Sequence, residues 1–165
     1  MIVQRETPGR EAAIHAVTLA AFGQPMEAGL VDQLRADEGW IPQLSLVALD
    51  GDAVIGHVAC TRARLGGEPA LGLGPLSVHP DHQKRGVGSA LVHAVLGGAD
   101  ALGEPIVVLL GNPAYYSRFG FRLAAEYGIT PPVAEWAPHF QARPLTTYQP
   151  SLRGDFVYSE PFNRL

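Results

Sequence analysis

Leu76-Ser-Val-His-Pro-Asp-His-Gln-Lys-Arg-Gly-Val-Gly-Ser-Ala-Leu91 contains a strand end, a polar loop, two spaced glycines and the first turn of an amphipathic helix. Each step suits a phosphate. Glycines at 86 and 88 let backbone N–H groups approach an anion closely, and a helix start adds roughly half a positive charge. Lys84 and Arg85 put fixed cations beside them, in a chain whose net charge is -4. Ser89 places a hydroxyl where it can reach a phosphate, although serine also suits an ordinary first turn. A Walker A loop is excluded, because Gly, four residues, then Gly-Lys-Ser/Thr occurs nowhere in the chain. A dinucleotide fingerprint also fails. Gly86-Val-Gly88-Ser-Ala-Leu91 lacks the third glycine and lies past a polar run, and the next strand ends at Gly111-Asn112 without a ribose-binding acid.

Upstream of this cradle, Ala70 to Val78 reads as a strand interrupted by Gly72, Gly74 and Pro75, a pattern that suggests a bulge or a splayed segment. Before it, Leu44 to Leu49 and Ala53 to Cys60 flank Asp50-Gly51-Asp52, a strong hairpin signal, and Gly66-Gly67 closes that arm. Two amphipathic helices precede the hairpin. One spans Glu11 to Phe22; the other runs on Met26, Leu30, Val31 and Leu34, with Gly39 as its expected stop. Ile2 to Arg5 suits an edge strand.

Downstream, a helix from Gly86 to about Leu102 is carried on Val87, Leu91, Ala94 and Val95, and Gly103 ends it. Pro105-Ile-Val-Val-Leu-Leu is continuous and apolar, as expected for a central strand covered on both faces. Pro113 to Phe119 is a short helix opening on proline. After residue 125, prolines at 131, 132, 138, 144 and 150 forbid long regular elements until Asp155-Phe-Val-Tyr offers a last strand.

At 165 residues with 47% hydrophobic content, the chain has enough apolar material for one folded domain, with a core over 1–125 and a proline-rich segment over 126–165. The acidic balance argues against nucleic acid as a partner. No apolar run is long enough to span a bilayer and no signal peptide is evident, which predicts a soluble protein. Cys60, the lone cysteine, sits in an alternating strand pattern and reads as a packed thiol in a reducing cytoplasm.

Gln83-Lys-Arg-Gly86-Val-Gly88 resembles the pyrophosphate loop of the GNAT N-acetyltransferases, whose pattern is Gln/Arg-x-x-Gly-x-Gly/Ala. Leu76-Ser77-Val78-His-Pro resembles the family strand whose backbone pairs with the pantetheine arm of coenzyme A. A second signature follows in Asn112-Pro-Ala-Tyr115-Tyr116-Ser-Arg-Phe-Gly120-Phe121, and the likeness covers residues 1 to about 125. The Asn112-Pro-Ala-Tyr115-Tyr116 run and the proline-rich tail resemble the small bacterial YhbS-like acetyltransferases.

The resemblance implies an α+β fold: a mixed, mostly antiparallel sheet flanked by helices, splayed between the fourth strand, Leu71 to Val78, and the fifth, Ile106 to Leu110. It implies acetyl-CoA as acyl donor and a small-molecule or peptide amine as acceptor, in a monomer or homodimer with no metal. Leu76, Ser77, Val78, Gln83, Lys84, Arg85, Gly86, Val87, Gly88, Ser89, Asn112 and Tyr115 are then the cofactor-binding residues. The backbone N–H near Val78 is the oxyanion donor. Tyr116 is the proton donor to the departing thiolate, a role that suits a phenol with a pKa near 10; packing at a helix-strand junction is the other reading of that tyrosine.

The strand before the loop carries no carboxylate, so the general base is open between water, His57 and His79. His79, Asp81 and His82 together are too few and too close for a metal set. Trp136, His139, Phe140 and Tyr148 either line the acceptor pocket or cover the sheet edge. The rival function is a non-catalytic acyl-CoA sensor or interaction domain, which would keep Gly86 and Gly88 but need no Tyr116.

Overall fold

Two tight turns fold the first half of the chain into an antiparallel meander. In the computed structural model, which describes residues 1–165, β1 (Ile2–Arg5) pairs with β2 (Ser45–Asp50), β2 with β3 (Ala53–Leu65), and β3 with β4 (Glu68–Val78). The hairpins turn at Gly51 and at Gly66-Gly67, whose φ values of 59°, 56° and 83° are those that tight hairpin turns require. α1 (Glu11–Phe22) and α2 (Pro25–Arg35) leave the sheet after β1 and pack on one face through Ile14 and Val31 against Val47 and Leu49. α3 (Val87–Ala101) covers the opposite face with Leu91, Val92, Val95 and Ala99 against Ala48, Val58, Cys60 and Leu71.

β5 (Ile106–Leu110) then returns parallel to β4, in register only at Leu71↔Val107 and Gly72↔Val108. Beyond Gly72 the two strands part: Leu73 and Leu76 to Val78 keep partners in β3, Gly74 and Pro75 fall in a register shift, and none of 73–78 pairs with β5. This is the expected splay, and the Gly72-x-Gly74-Pro75 interruption marks its start. The apolar run of β5 is divided between two cores. Val107 and Leu109 join the α3 side, while Ile106 and Val108 join Phe140, Ala142 and Phe156 on the other.

α4 (Pro113–Tyr116) follows β5 directly, and β6 (Arg122–Leu123) and β7 (Ile129–Thr130) are two-residue pieces. β8 (Phe140–Pro144) lies antiparallel to the whole of β5 and separates it from β6, giving the order β1-β2-β3-β4-β5-β8-β6. β9 (Gly154–Val157) pairs with β3 and β7. β8 is absent from the sequence expectation. Its five residues alternate Gln141 and Arg143 with Phe140, Ala142 and Pro144, and it ends on the proline, where a missing N–H costs least. Gln141 is nevertheless buried, donating to the carbonyls of Gly111 and His139 at 3.0 and 3.3 Å.

The end of α2 differs from the expected stop at Gly39. The helix closes at Arg35 with Ala36 as its cap, and Gly39 instead accepts the Arg62 N–H at 2.8 Å, where a Cβ would lie 3.1 Å from that of Ser159. Of the four tail residues with two open readings, Phe140 is buried in the second core and Tyr148 packs on Tyr127, so both cover the sheet. His139 is exposed, and Trp136 turns into a cleft beside the splay. No helix is long and apolar enough to cross a membrane.

Candidate active site

The loop before α3 takes the shape expected of an anion cradle. Lys84 and Gly86 both have left-handed backbones, with φ of 61° and 82°, and Lys84 is the one non-glycine residue in that region. Such strain in a non-glycine residue persists where the surroundings impose it, and successive turns of this kind gather N–H groups into a concavity. The Ala90 N–H is the first to bond back in the helical manner, to Gly86 at 3.0 Å, which leaves those of Val87, Gly88 and Ser89 aimed out of the helix start. Gln83 ties the loop to the strand by donating from Nε2 to the Val78 carbonyl at 3.2 Å. A cleft of about 660 Å³ opens here, walled by Leu76, Val78, Gln83, Lys84, Gly86 to Ser89 and Tyr115. Arg85 is exposed and lies outside that wall.

The edge of β4 is available along the splay. His79 donates its N–H to the Ile55 carbonyl at 2.8 Å, so hydrogen bonds to β3 fall on 77 and 79. Alternation in an antiparallel ladder then points the N–H and C=O of Leu76 and Val78 away from β3, into the space that β5 vacates. The Ser77 side chain points the other way. It is buried 3.3 Å from the Thr18 hydroxyl, so only its backbone belongs to this strand face.

Two consecutive tyrosines divide the site. Tyr115 walls the first cleft, and Tyr116, one residue on, walls a second of about 810 Å³ that lies between β4, the end of β5 and the tail. Leu76 and Phe22 border both. Asn112 starts α4, its Oδ1 accepting the Ala114 N–H at 3.0 Å, and lines the second cleft rather than the first. The Tyr116 ring lies over Gly111, where a Cβ would stand 2.6 Å from it. Burial, with Tyr115 adding to it, pushes the Tyr116 phenol up to about 12. Arg118, which the sequence reading did not single out, also reaches the first cleft. Its guanidinium stacks 4.7 Å from the Tyr115 ring centre while Nε donates to the Tyr115 carbonyl at 2.9 Å. Its spacing three residues after Tyr115, on the same helical face, was the available signal.

Neither histidine considered as a base lines a cleft. His79 is spent at the turn, Nδ1 accepting the Asp81 N–H at 3.1 Å. His57 is fully buried beneath α1, its Nε2 2.8 Å from the Ser45 hydroxyl, which also bonds Glu6. Burial lowers the His57 pKa while Glu6 pulls it up. For Glu6 itself burial acts upward, but hydrogen bonds from His57, Ser45 and Arg35 bring its carboxyl down to about 2.

A divergent parallel pair with a phosphate cradle at its mouth is the architecture the sequence resemblance requires. The family model of the acetyltransferase (GNAT) domain matches residues 4–124. The chain belongs to the GNAT acetyltransferase family, and is an acyl-CoA N-acyltransferase. Among its relatives, the uncharacterized N-acetyltransferase YhbS of Escherichia coli strain K12 is 38% identical over 132 residues, 78% of each protein. The crystal structure of YhbS from Escherichia coli in complex with CoA superposes with a TM-score of 0.93 at 34% identity, over 99% of this chain and 92% of that one. A GNAT acetyltransferase from Brucella melitensis in complex with acetyl-CoA gives 0.81 at 33% identity, over 98% and 97%.

Proposed function

We propose that this GNAT enzyme transfers the acetyl group of acetyl-CoA to a primary amine by direct attack, with both substrates present together where the two clefts meet. The observation that carries the proposal is the junction at Leu76, Phe22 and the Tyr115-Tyr116 pair, reached by a phosphate-binding cleft from one side and an apolar cleft from the other. The donor fits the first cleft: the free N–H groups of 87–89 and the Lys84 ammonium hold the pyrophosphate, and the open edge at Leu76 pairs with the amides of pantetheine, leaving the Val78 N–H for the thioester. Arg85, outside the wall, contributes long-range charge.

In the chemical step the amine nitrogen bonds to the thioester carbon, the carbon–sulfur bond breaks, and the thiolate takes a proton. The Val78 N–H meets the negative charge that develops on oxygen, the largest single contribution in most acyl transfers. Tyr116 gives its proton to sulfur and regains one from water; burial, which raises its pKa to about 12, keeps it protonated at neutral pH and makes it a weaker acid than an ordinary phenol. The proton lost by the amine leaves through water, because His57 and His79 both lie off the cleft walls. The whole of 1–165 acts as one catalytic domain, since β8 from the tail completes the same sheet as β5.

Thermal unfolding with acetyl-CoA, NAD and ATP tests the donor first, because a ligand bound by the folded state alone raises the transition temperature. Acetyl-CoA is expected to raise it, and Gly86→Glu to remove the effect by placing a negative side chain in the cradle. If neither acetyl-CoA nor CoA shifts the transition, the donor assignment is wrong. Acetyl-CoA binding without CoA release on any amine would instead favour a sensor.

A further inference from the structure

We infer that the second cleft, read as above as the acceptor side, selects monoamines carrying an apolar aromatic body and no carboxylate. The rings of Tyr116, Trp136, Tyr158 and Phe162 stand in its walls with Phe22 at the junction. Four of the eleven exposed large hydrophobic side chains, Phe22, Leu110, Val133 and Leu165, also border it. Exposed apolar surface gathered at one concavity marks a binding site rather than incidental exposure. The rings are also held in place: Tyr158 meets Phe156 edge to face at 4.9 Å, lies tilted 4.5 Å from Phe162 and rests over Gly72, where a Cβ would lie 2.8 Å from its ring.

Charge narrows the choice. Glu27, on α2, is the charged side chain of these walls, and Gln24 steadies its carboxylate with a 2.7 Å hydrogen bond. One carboxylate suits one ammonium, which it attracts toward the cleft before deprotonation. Polyamines and aminoglycosides need several anions, and Glu27 is the one carboxylate side chain in the walls. A free amino acid needs a cation for its carboxylate, yet no lysine or arginine lines the cleft. A peptide needs a run of polar partners for its backbone, whereas the uncharged amide side chains of the walls are two, Asn112, whose oxygen already caps α4, and Asn163. An aryl-alkyl amine satisfies every wall: its ring meets aromatic faces, its chain passes Leu76, and its single nitrogen meets Tyr116 and the junction.

The test compares CoA release at saturating acetyl-CoA for 2-phenylethylamine and tryptamine against spermidine, lysine, kanamycin and a lysine-containing peptide. The aryl-alkyl amines are expected to have a kcat/KM at least about ten-fold higher than the others. Trp136→Ala and Phe162→Ala should each raise the KM for 2-phenylethylamine by about five-fold or more and leave the calorimetric Kd of acetyl-CoA unchanged. Glu27→Gln should raise the amine KM alone. A preference for a polycation, an amino acid or the peptide overturns the inference, as does an amine KM indifferent to both ring substitutions. Calorimetry of 2-phenylethylamine on CoA-loaded protein decides the matter without turnover. Binding lost in Trp136→Ala supports the inference and absence of binding sinks it, while failure of acetyl-CoA to bind sinks the donor reading instead.

Discussion

Tyr116 is where the proposed chemistry is most exposed to test. Tyr116→Phe removes one oxygen and leaves the ring over Gly111, so turnover should fall by about 100-fold while acetyl-CoA affinity stays unchanged. Equal activity in the two proteins would return the residue to a packing role. Its raised pKa carries a further consequence: the protonated donor form persists to about pH 12, so the rate should rise as the amine loses its proton and show no alkaline fall below pH 10 from this phenol. Gly111→Ala is the indirect version, because its Cβ would stand 2.6 Å from the Tyr116 ring and displace it. It should depress kcat with acetyl-CoA binding intact. The Glu6 carboxyl is a matter of stability. A folded pKa of about 2 against an ordinary 4.5 contributes stability that is complete above about pH 4.5 and drains away as the pH falls toward 2. Glu6→Gln should flatten that acid limb and lower stability at neutral pH by on the order of 2 kcal/mol, read by urea unfolding at several pH values.

Among the elements, the strand-loop-helix unit at 76–101 was the most legible from sequence, since its glycines, cations and apolar periodicity all state the same local geometry. The splay was legible too, because glycine and proline interrupt an otherwise regular strand. β8 escaped for a physical reason: Gln141 and Arg143 look like surface residues, and their partners, the carbonyls of Gly111, His139 and Phe119 together with that of Pro144, are set by the fold rather than by local pattern. The same limit hid the division between Tyr115 and Tyr116, which neighbouring positions in a sequence cannot display. Gly39 misled in the opposite direction. A glycine after an amphipathic stretch imitates a helix stop, while the position answers to its contact with Ser159 in the tail. His57, beside apolar residues in a strand, proved to be a buried partner of Ser45 and Glu6 rather than a group on the cleft wall.

At the scale of the molecule, the tail is as much a part of the sheet as the region that matches the family. Phe140 and Phe156 are buried against Ile106 and Val108, and β8 covers an edge of β5 that would otherwise stand open. Removing residues 126–165 should therefore yield insoluble or unfolded protein, even though the family match ends at residue 124. Phe156→Ala in the full chain should cost about 3–5 kcal/mol in urea unfolding. A stable, soluble fragment 1–125 would refute this dependence. The two clefts are also drawn from different lengths of chain. One continuous loop at 83–89 makes the phosphate cradle, whereas Pro132, Val133, Trp136, Tyr158 and Phe162 wall the opposite cleft. Under the proposed division of donor and acceptor, inheritance of the two halves of the reaction is uncoupled: a duplicated copy that keeps the loop and rewrites those tail positions would retain its acyl supply while its taste in acceptors drifts.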